Sequence, residues 1–241
     1  AEDGIRDYKV TGVQTCALPI WTSAGLAVQP AISMKDAANK IYTWPNVLDV
    51  VVSRNGLRIC GSCSRDDNLG NHRMGFTWSS GAFASVLPQT GDVDSEAMAT
   101  SADGSVIVGT SFNSSGSGSA MKWVGSGGVG VKIALPASAP ATSPPYPCAI
   151  SDDGTTVGIN VWSSGGGRAF RWKTGQATAT ELVAPSGRPA MQIEGMTRDG
   201  LIFFGECGVV NGWSTISRRA VKWSGATYAP TVLAGIDGRD D

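Results

Sequence analysis

The sequence predicts an all-β fold, an incomplete β-propeller made of four-stranded antiparallel blades of about 48 residues. The first observation is a turn motif, Ser or Thr, any residue, Asp or Asn, then Gly, which occurs four times. Its glycines, Gly56, Gly104, Gly154 and Gly200, are 48, 50 and 46 residues apart. The second observation is a tryptophan roughly twenty residues after each of these glycines, and the third is a series of short apolar runs between Gly-rich and Ser-rich turns. A repeat of this length is typical of sheets arranged radially.

The second repeat shows how one unit is built. Its four predicted strands are residues 96–100, 105–112, 120–124 and 131–135. A tight turn joins the first two, because Asp103 can bond its own backbone and Gly104 can adopt a positive φ. The centre of the second strand, Val106-Ile107-Val108, is apolar on both faces, which predicts a strand buried between two layers.

The other repeats follow the same plan. The expected organisation is a remnant of a preceding blade with a connector at residues 21–44, followed by blades at residues 45–90, 91–138, 139–188 and 189–241. The positions expected to recur for structural reasons are, repeat by repeat, Asn55, Gly56, Gly61 and Trp78; Asp103, Gly104, Gly109 and Trp123; Asp153, Gly154, Gly158 and Trp172; Asp199, Gly200, Gly205 and Trp223. The glycine that closes the second strand comes one residue early in the third repeat, at Gly158. Residues 32–42 are the only stretch with helical periodicity.

Residues 1–20 stand outside the repeat and resemble the in-frame translation of a short-read sequencing adapter. Residues 1–7 match its flow-cell end, residues 10–20 match the primer that follows, and Tyr8 and Lys9 fill the place of a sample index. We therefore expect this segment to be non-native and disordered or unpacked, and we exclude it from the fold prediction. The native N-terminus is expected to be missing, so the sequence holds no information about a signal peptide.

Composition excludes two classes of function. The net charge is −1 and charged residues make up 16% of the chain, so the basic patch expected of a nucleic-acid-binding protein is missing. No apolar run reaches the roughly eighteen residues that a membrane-spanning helix needs. The hydrophobic content of 41% is sufficient for a packed core.

The residues that could carry chemistry have structural interpretations. The repeated aspartates precede glycines at predicted hairpin turns; they are Asp103, Asp153 and Asp199. The first repeat has Asn55 at the same position, and asparagine could not replace an aspartate that acts as a catalytic acid. The acidic residues available for general acid–base catalysis are Asp66, Asp67, Asp92, Asp94 and Glu96, and solvated loop charge is the simpler interpretation.

Metal and thiol chemistry have little support. Cys60 and Cys63 form a Cys-x-x-Cys pair without a second ligand pair, and His72 is the single histidine of the chain. The four cysteines of the repeats, which include Cys148 and Cys207, are expected to contain buried free thiols, although export would permit a disulfide. We expect no cofactor, no metal and no catalytic residue.

Three tryptophans break the repeat pattern. Trp44, Trp162 and Trp213 lie in or near predicted loops, and they are the candidate aromatics of a ligand-binding face. The four repeated tryptophans are expected to pack between blades as large anchors.

The repeat resembles a known family. The segment Ser101 to Gly109, SADGSVIVG, and the tetrapeptide Ala169-Phe170-Arg171-Trp172 are similar to the bacterial extracellular HAF repeat, over about residues 45 to 235. This resemblance implies a propeller-like all-β fold in an exported or autotransporter-type protein, located outside the cell or on its surface. It implies no chemistry, because the family is defined by its repeat.

Together these features predict an exported or surface-displayed propeller that acts as a binding scaffold without catalysis of its own. Its expected partners are a surface ligand, either glycan or protein, and the missing blades of the same chain; no nucleic acid and no membrane span are expected. One alternative is part of a carbohydrate-active propeller enzyme, a glycosidase or lyase, with catalytic residues partly in missing blades. A second is a structural segment of an autotransporter passenger.

Overall fold

The computed structural model describes residues 19–22, 25–28, 32–35, 41–44, 46–67, 70–125, 127–211 and 214–233. In these parts the chain forms only β-strands, turns and short connections, which confirms the prediction of an all-β fold. No helix that could cross a membrane occurs among these residues. Residues 1–18 and Trp213 lie outside the described residues.

Two short hairpins come first along the chain. They are β1 (Pro19–Thr22) with β2 (Gly25–Val28), and β3 (Ile32–Lys35) with β4 (Ile41–Trp44). The helical interpretation of residues 32–42 is wrong at both ends, because Ile32 pairs with Trp44 across an antiparallel ladder. β-Branched and aromatic residues at these ends favour strands. Pro19 and Ile20, which were expected to be unpacked, take part in the β1–β2 ladder.

Four mainly antiparallel sheets follow. Neighbouring strands are consecutive in the chain, except that a short strand between the last two strands of the second sheet joins the first sheet in parallel. The first sheet consists of β5 (Asn46–Val52), β6 (Ile59–Asp67), β7 (Gly70–Ser79) and β8 (Ala82–Leu87). The second consists of β9 (Asp94–Thr100), β10 (Val106–Phe112), β11 (Gly118–Val124) and β13 (Val131–Lys132), while β12 (Gly128–Val129) pairs in parallel with β8. The third consists of β14 (Tyr146–Ile150), β15 (Thr156–Ser163), β16 (Gly166–Lys173) and β17 (Thr180–Glu181). The fourth consists of β18 (Ala190–Met196), β19 (Phe203–Asn211), β20 (Ser214–Ser224) and β21 (Ala229–Val232).

The sheets are arranged around an axis along which their first strands lie side by side. Strand β5 contacts β9, β9 contacts β14, and β14 contacts β18. The turns that follow these strands are joined by backbone hydrogen bonds. The amide of Asn55 donates to the carbonyl of Ala102, Ala102 donates to Asp152, and Asp152 donates to Arg198. The variable residue of each of the last three turn motifs therefore accepts a hydrogen bond from the turn of the preceding repeat.

The core lies between the sheets. We call the side of a sheet that meets the following sheet its leading face, and the opposite side its trailing face. Cys60 and Val86 on the leading face of the first sheet pack with Ile107, Met121 and Trp123 on the trailing face of the second. Equivalent clusters fill the space between the second and third sheets and between the third and fourth. Burial of this apolar surface is the main stabilising contribution to such a stack.

One predicted repeat position is wrong. A β-bulge interrupts the first strand of every sheet. Gly109 and Gly205 face it in the second and fourth sheets, whereas Gly61 of the first sheet lies beside it and pairs with Val50. A Cβ at these glycines would overlap a carbonyl oxygen of the bulged strand. In the third sheet Ile159 occupies that position, and Gly158 is paired as Val108 is in the second sheet. The strand is therefore not shortened, and Gly158 instead makes room for Phe203, whose ring lies 3.0 Å from the position of an added Cβ.

Candidate functional site

A cleft of about 560 Å³ opens between the third and fourth sheets. It lies at the end of the sheets where the β15–β16 and β19–β20 hairpins turn, opposite the Asp-Gly turns. Trp162, Gln192, Thr215 and Arg218 line it together with Thr142 and Ser143 from the connection that precedes β14. Of the three tryptophans predicted for a ligand-binding face, Trp162 is thus placed in a cleft.

Trp162 is held in position by a second aromatic ring. The centroid of Tyr146 lies 5.8 Å from that of Trp162, and the ring planes are inclined by 62°, an edge-to-face arrangement. Tyr146 begins β14 and Trp162 is near the end of β15, so neighbouring strands present both rings. Partial burial raises the pKa of Tyr146 further above neutral pH, and its protonated hydroxyl can donate a hydrogen bond.

Two glycines let the β15–β16 hairpin approach the fourth sheet. A Cβ at Gly167 would lie 2.6 Å from the carbonyl oxygen of Met191, and one at Gly166 would lie 2.9 Å from Cβ of Ala190. Gly166 also has a φ of +91°, which side-chain-bearing residues rarely adopt. The glycines therefore determine how closely the two sheets meet at the base of the cleft.

An ion pair forms the polar wall of the cleft. The guanidinium of Arg218 donates to Oε1 of Glu206 at 2.7 Å, and Glu206 is the only carboxylate among the described residues that line the cleft. Hydroxyl groups of Thr142, Ser143 and Thr215 complete the polar surface. The cleft thus combines one aromatic ring with several neutral hydrogen-bonding groups and one fixed ion pair.

The opposite end of the axis carries a shallower depression without an aromatic side chain in its lining. Arg54, Asp152 and Arg198, the variable residues of three turn motifs, lie around it. Arg54 and Asp152 form an ion pair of 3.0 Å, so one of the two arginines is already neutralised. This arrangement connects the turns.

The turn aspartates are bound within their own turns. The hydroxyl of Ser101 donates to Oδ1 of Asp103 at 2.7 Å, and the amide of Ser105 donates to the same atom at 2.9 Å. These hydrogen bonds hold the pKa of Asp103 at about 2, below its usual value of 3.8. Asp153 and Asp199 have the same pattern and the same direction of pKa shift, caused first by the hydroxyl of the turn Ser or Thr.

The other acidic candidates are also engaged. The carboxylate of Asp92 accepts from Ser111, that of Asp94 accepts from the amide of Arg73, and Arg73 forms an ion pair with Glu96. His72 lies 3.2 Å from Asp94. For Asp66 and Asp67 only the strand is described, and their side chains lie outside the described part.

The Cys-x-x-Cys pair is divided between two cores. Cys60 belongs to the cluster on the leading face of the first sheet, and Cys63 belongs to the cluster on its trailing face. The two thiols therefore point away from each other and cannot bind one metal ion. Both are free, as are Cys148 and Cys207, and burial raises the pKa of all four. Within the described ranges no three potential metal ligands come together.

The repeated tryptophans lie on trailing faces. The indole N–H of Trp123 donates to the carbonyl of Leu87 in the preceding sheet, and that of Trp223 donates to Val183, both at 2.9 Å. Trp172 instead bonds within its own sheet, to Gln176. Trp44 is in strand β4, and nothing of its side chain is described; Trp213 lies outside the described residues.

The sequence did not predict Arg218 and Glu206 as parts of the cleft, or Tyr146 as the ring that contacts Trp162. Their signal lies in the repeat alignment. Glu206 is the sixth residue after a turn glycine, where the other repeats have Ser62, Thr110 and Asn160. The other three repeats have a buried neutral residue at this position, so the charged Glu206 indicates that the surroundings differ in the fourth repeat.

Comparisons with known proteins define the fold. The chain is similar to a protein assigned as TolB from Agrobacterium tumefaciens, with a TM-score of 0.53 and 12% identity over 84% of this chain and 68% of that chain. It is also similar to TolB from Acinetobacter baumannii, with a TM-score of 0.50 and 13% identity over 84% of this chain and 49% of that chain. A third similar structure is the β-propeller domain of the Trilobed protease from Pyrococcus furiosus, which has an open velcro topology. Its TM-score is 0.51, with 10% identity over 84% of this chain and 62% of that chain. The fold is a β-propeller.

The sequence comparisons add no family. No family model matches the chain, and no curated protein matches it significantly. The propeller spans about half to two thirds of the length of the three solved proteins. At 10–13% identity these likenesses establish the fold alone.

Proposed function

We propose that this protein is an exported, non-catalytic propeller that binds a saccharide in the cleft between its third and fourth sheets. The observation that carries the proposal is the position of Trp162, which is braced by Tyr146 and lines a cleft rich in hydroxyl and amide groups. A sugar ring has an apolar C–H face that packs on an aromatic ring, and hydroxyls around its edge that need hydrogen-bonding partners. The cleft offers both.

The ligand chemistry follows from the polar groups. Arg218 and Glu206 neutralise each other at 2.7 Å, so the wall offers donors and acceptors without a strong net charge. Thr142, Ser143 and Thr215 add groups that can both donate and accept. A neutral saccharide matches this set better than a phosphate or a polyanion, which would favour several unpaired cations.

The carboxylates support a role in binding without catalysis. Most glycoside hydrolases use two carboxyl groups on either side of the scissile bond. Glu206 is the one carboxylate of the described cleft lining, and it is engaged in an ion pair with Arg218. Asp103, Asp153 and Asp199 are bound within turns at the other end of the sheets.

Export is supported by two features of the sequence. The repeat resembles the bacterial extracellular HAF repeat, and the chain is rich in glycine, with 32 residues of 241, and poor in charge. A saccharide at the cell surface or in the surroundings is the corresponding class of ligand.

The proposal is tested by applying the purified full chain to a glycan array and incubating it with the same glycans to detect hydrolysis or elimination. We expect binding of a defined group of neutral glycans and no turnover. Trp162→Ala should abolish binding, whereas Phe204→Ala, which truncates an exposed aromatic residue outside the cleft, should retain it. Turnover abolished by Glu206→Gln would contradict the non-catalytic part, and equal binding by Trp162→Ala would contradict the site.

A further inference from the structure

The leading face of the fourth sheet differs from those of the first three. In the second sheet, Val108, Ala120 and Ile133 on this face are at most 2% exposed, because the third sheet covers them. In the fourth sheet, Phe204 is 47% exposed and Leu233 is 44% exposed. Ala220 between them is exposed as well.

Backbone hydrogen bonds show that these residues are equivalent. The amide of Ile133 donates to the carbonyl of Ala120, and Leu182 donates in the same way to Ala169. Leu233 repeats the bond with Ala220 in the fourth sheet. The face is therefore built like the faces that are covered by a following sheet, and the difference in exposure comes from what lies against it.

A polar position of each leading face binds the next sheet. The hydroxyl of Ser62 accepts from the amide of Ala97 at 3.0 Å, and the side-chain oxygen of Asn160 accepts from the amide of Ile193 at 2.8 Å. Thr110 donates to the carbonyl of Pro145. Glu206 is the fourth member of this set. Its carboxylate has acceptor capacity beyond its bond with Arg218 and can accept from an equivalent amide of a following strand.

The sizes of facing residues compensate each other across the sheets. Cys60 faces the cluster that contains Ile107, a small residue against a larger one. Val108 and Val157 share the next cluster, and Gly158 lies against Phe203 in the last. The summed volume of the two facing side chains changes little from one interface to the next, as close packing requires. Phe204 is the largest residue at this position, so its partner must be small.

From these observations we infer that the leading face of the fourth sheet is a docking surface for a further sheet of the same repeat, with Gly, Ala or Ser opposite Phe204. The interfaces between the four sheets already use this face three times. A second copy of the chain does not offer the matching surface, because Cys63, Met74 and Phe76 on the trailing face of its first sheet are buried, at most 1% exposed. Phe204 does not line the cleft, whereas Glu206 belongs both to the cleft lining and to this face.

The test appends a second copy of residues 91–138, which carry the second sheet, after Asp241 of the whole chain. The appended copy has either its native Ile107 or Ile107→Ala, and the parent chain has either its native Phe204 or Phe204→Cys. The four extended proteins form a double-mutant cycle read out by the midpoint of urea unfolding. Phe204 should favour the appended copy with Ile107→Ala. Phe204→Cys should favour the copy with Ile107, since this recreates the pairing of Cys60 with Ile107.

Thiol labelling of the Phe204→Cys variant, followed by peptide mass mapping, gives a second measurement. The thiol at position 204 should react at least about tenfold more slowly when the appended copy with Ile107 is present, because reaction then requires opening of the interface. An appended copy with Ile107→Asp is the control and should leave the thiol reactive. The inference is overturned if the appended sheet gives no protection or if the preference does not reverse with residue 204. It is also overturned if the thiol is protected by dimerisation of the chain without an appended sheet.

Discussion

The side-chain amide of Asn160 makes two hydrogen bonds with the backbone of Ile193 in the following sheet. Its Nδ2 donates to the carbonyl oxygen at 2.9 Å and its Oδ1 accepts from the N–H at 2.8 Å. Asn160 is buried, and it binds Ile193 directly before the bulge at which the β18–β19 ladder shifts register. Two sheets are thus joined by one polar side chain within an apolar interface.

We expect Asn160→Ala to lower the free energy of unfolding by about 2 to 3 kcal/mol, because the N–H of Ile193 would lose its side-chain acceptor and its carbonyl would keep only the thiol of Cys148 as a donor. Asn160→Ser should recover part of this loss, since Ser62 accepts the equivalent bond in the first sheet. Urea denaturation measures both, and Asn46→Ala, at an exposed position, is the control. A loss for Asn160→Ala no larger than that of the control would contradict the role of this side chain.

The indole groups of Trp123 and Trp78 form a matched pair. Trp123 donates to Leu87 across a sheet interface, whereas Nε1 of Trp78 is buried without a hydrogen-bond acceptor among the described residues. Trp123→Phe should therefore cost about 1 kcal/mol more than Trp78→Phe in thermal or urea unfolding. Equal losses would mean that the hydrogen bond between sheets contributes nothing measurable.

The turn aspartates should make stability depend on pH. Asp103→Ala should lower the free energy of unfolding by about 1 kcal/mol at neutral pH, because the hydrogen bonds from Ser101 and Ser105 are lost. Asp103→Asn should cost less, since Asn55 accepts the corresponding bonds in the first repeat.

The sign of the pH effect follows from the lowered pKa of Asp103. A carboxyl whose pKa falls from 3.8 to about 2 on folding stabilises the protein above pH 4, and this stabilisation is lost as the pH falls towards 2. The stability difference between the wild type and Asp103→Asn should shrink over this interval. A difference that is constant from pH 7 to pH 2 would contradict a contribution from the ionised carboxylate.

Gly109, which faces the bulge of β9, should not tolerate a side chain. A Cβ at Gly109 would overlap the carbonyl oxygen of Glu96, so Gly109→Ala should destabilise the protein by about 3 kcal/mol, in the range of overpacked cores. Gly165→Ala is the matched control, because the nearest atom to an added Cβ there is 3.5 Å away. Similar unfolding midpoints for the two variants would contradict the close approach at Gly109.

The repeat made much of the fold predictable. The Asp-Gly turns and the apolar strands that follow them recur often enough to specify four-stranded antiparallel sheets without tertiary information. The alignment of the third repeat failed because glycine serves two purposes. Gly109 avoids a carbonyl oxygen of the bulge, whereas Gly158 makes room for Phe203 of another sheet, and a sequence shows only that both are glycine. The helical periodicity of residues 32–42 failed because pairing of Ile32 with Trp44 overrides it.

The candidate site was less predictable than the fold. Trp162 was identified because it breaks the repeat, but Tyr146 and Arg218 reach the same region only through the packing of two sheets. That packing depends on Gly166 and Gly167, whose importance comes from the distance to the strand they approach. A periodic sequence predicts which residues are equivalent, and it does not predict what the exceptions meet.

The affinity of Trp162 variants for a bound glycan tests the central claim most directly. Isothermal titration with a glycan identified on the array should show Trp162→Ala binding at least about tenfold more weakly than the wild type, with Trp162→Phe between them, because loss of one stacking ring costs at least about 1.4 kcal/mol. Phe204→Ala should bind as the wild type does. Unchanged affinity in a folded Trp162→Ala protein would show that the cleft between the third and fourth sheets is not the binding site.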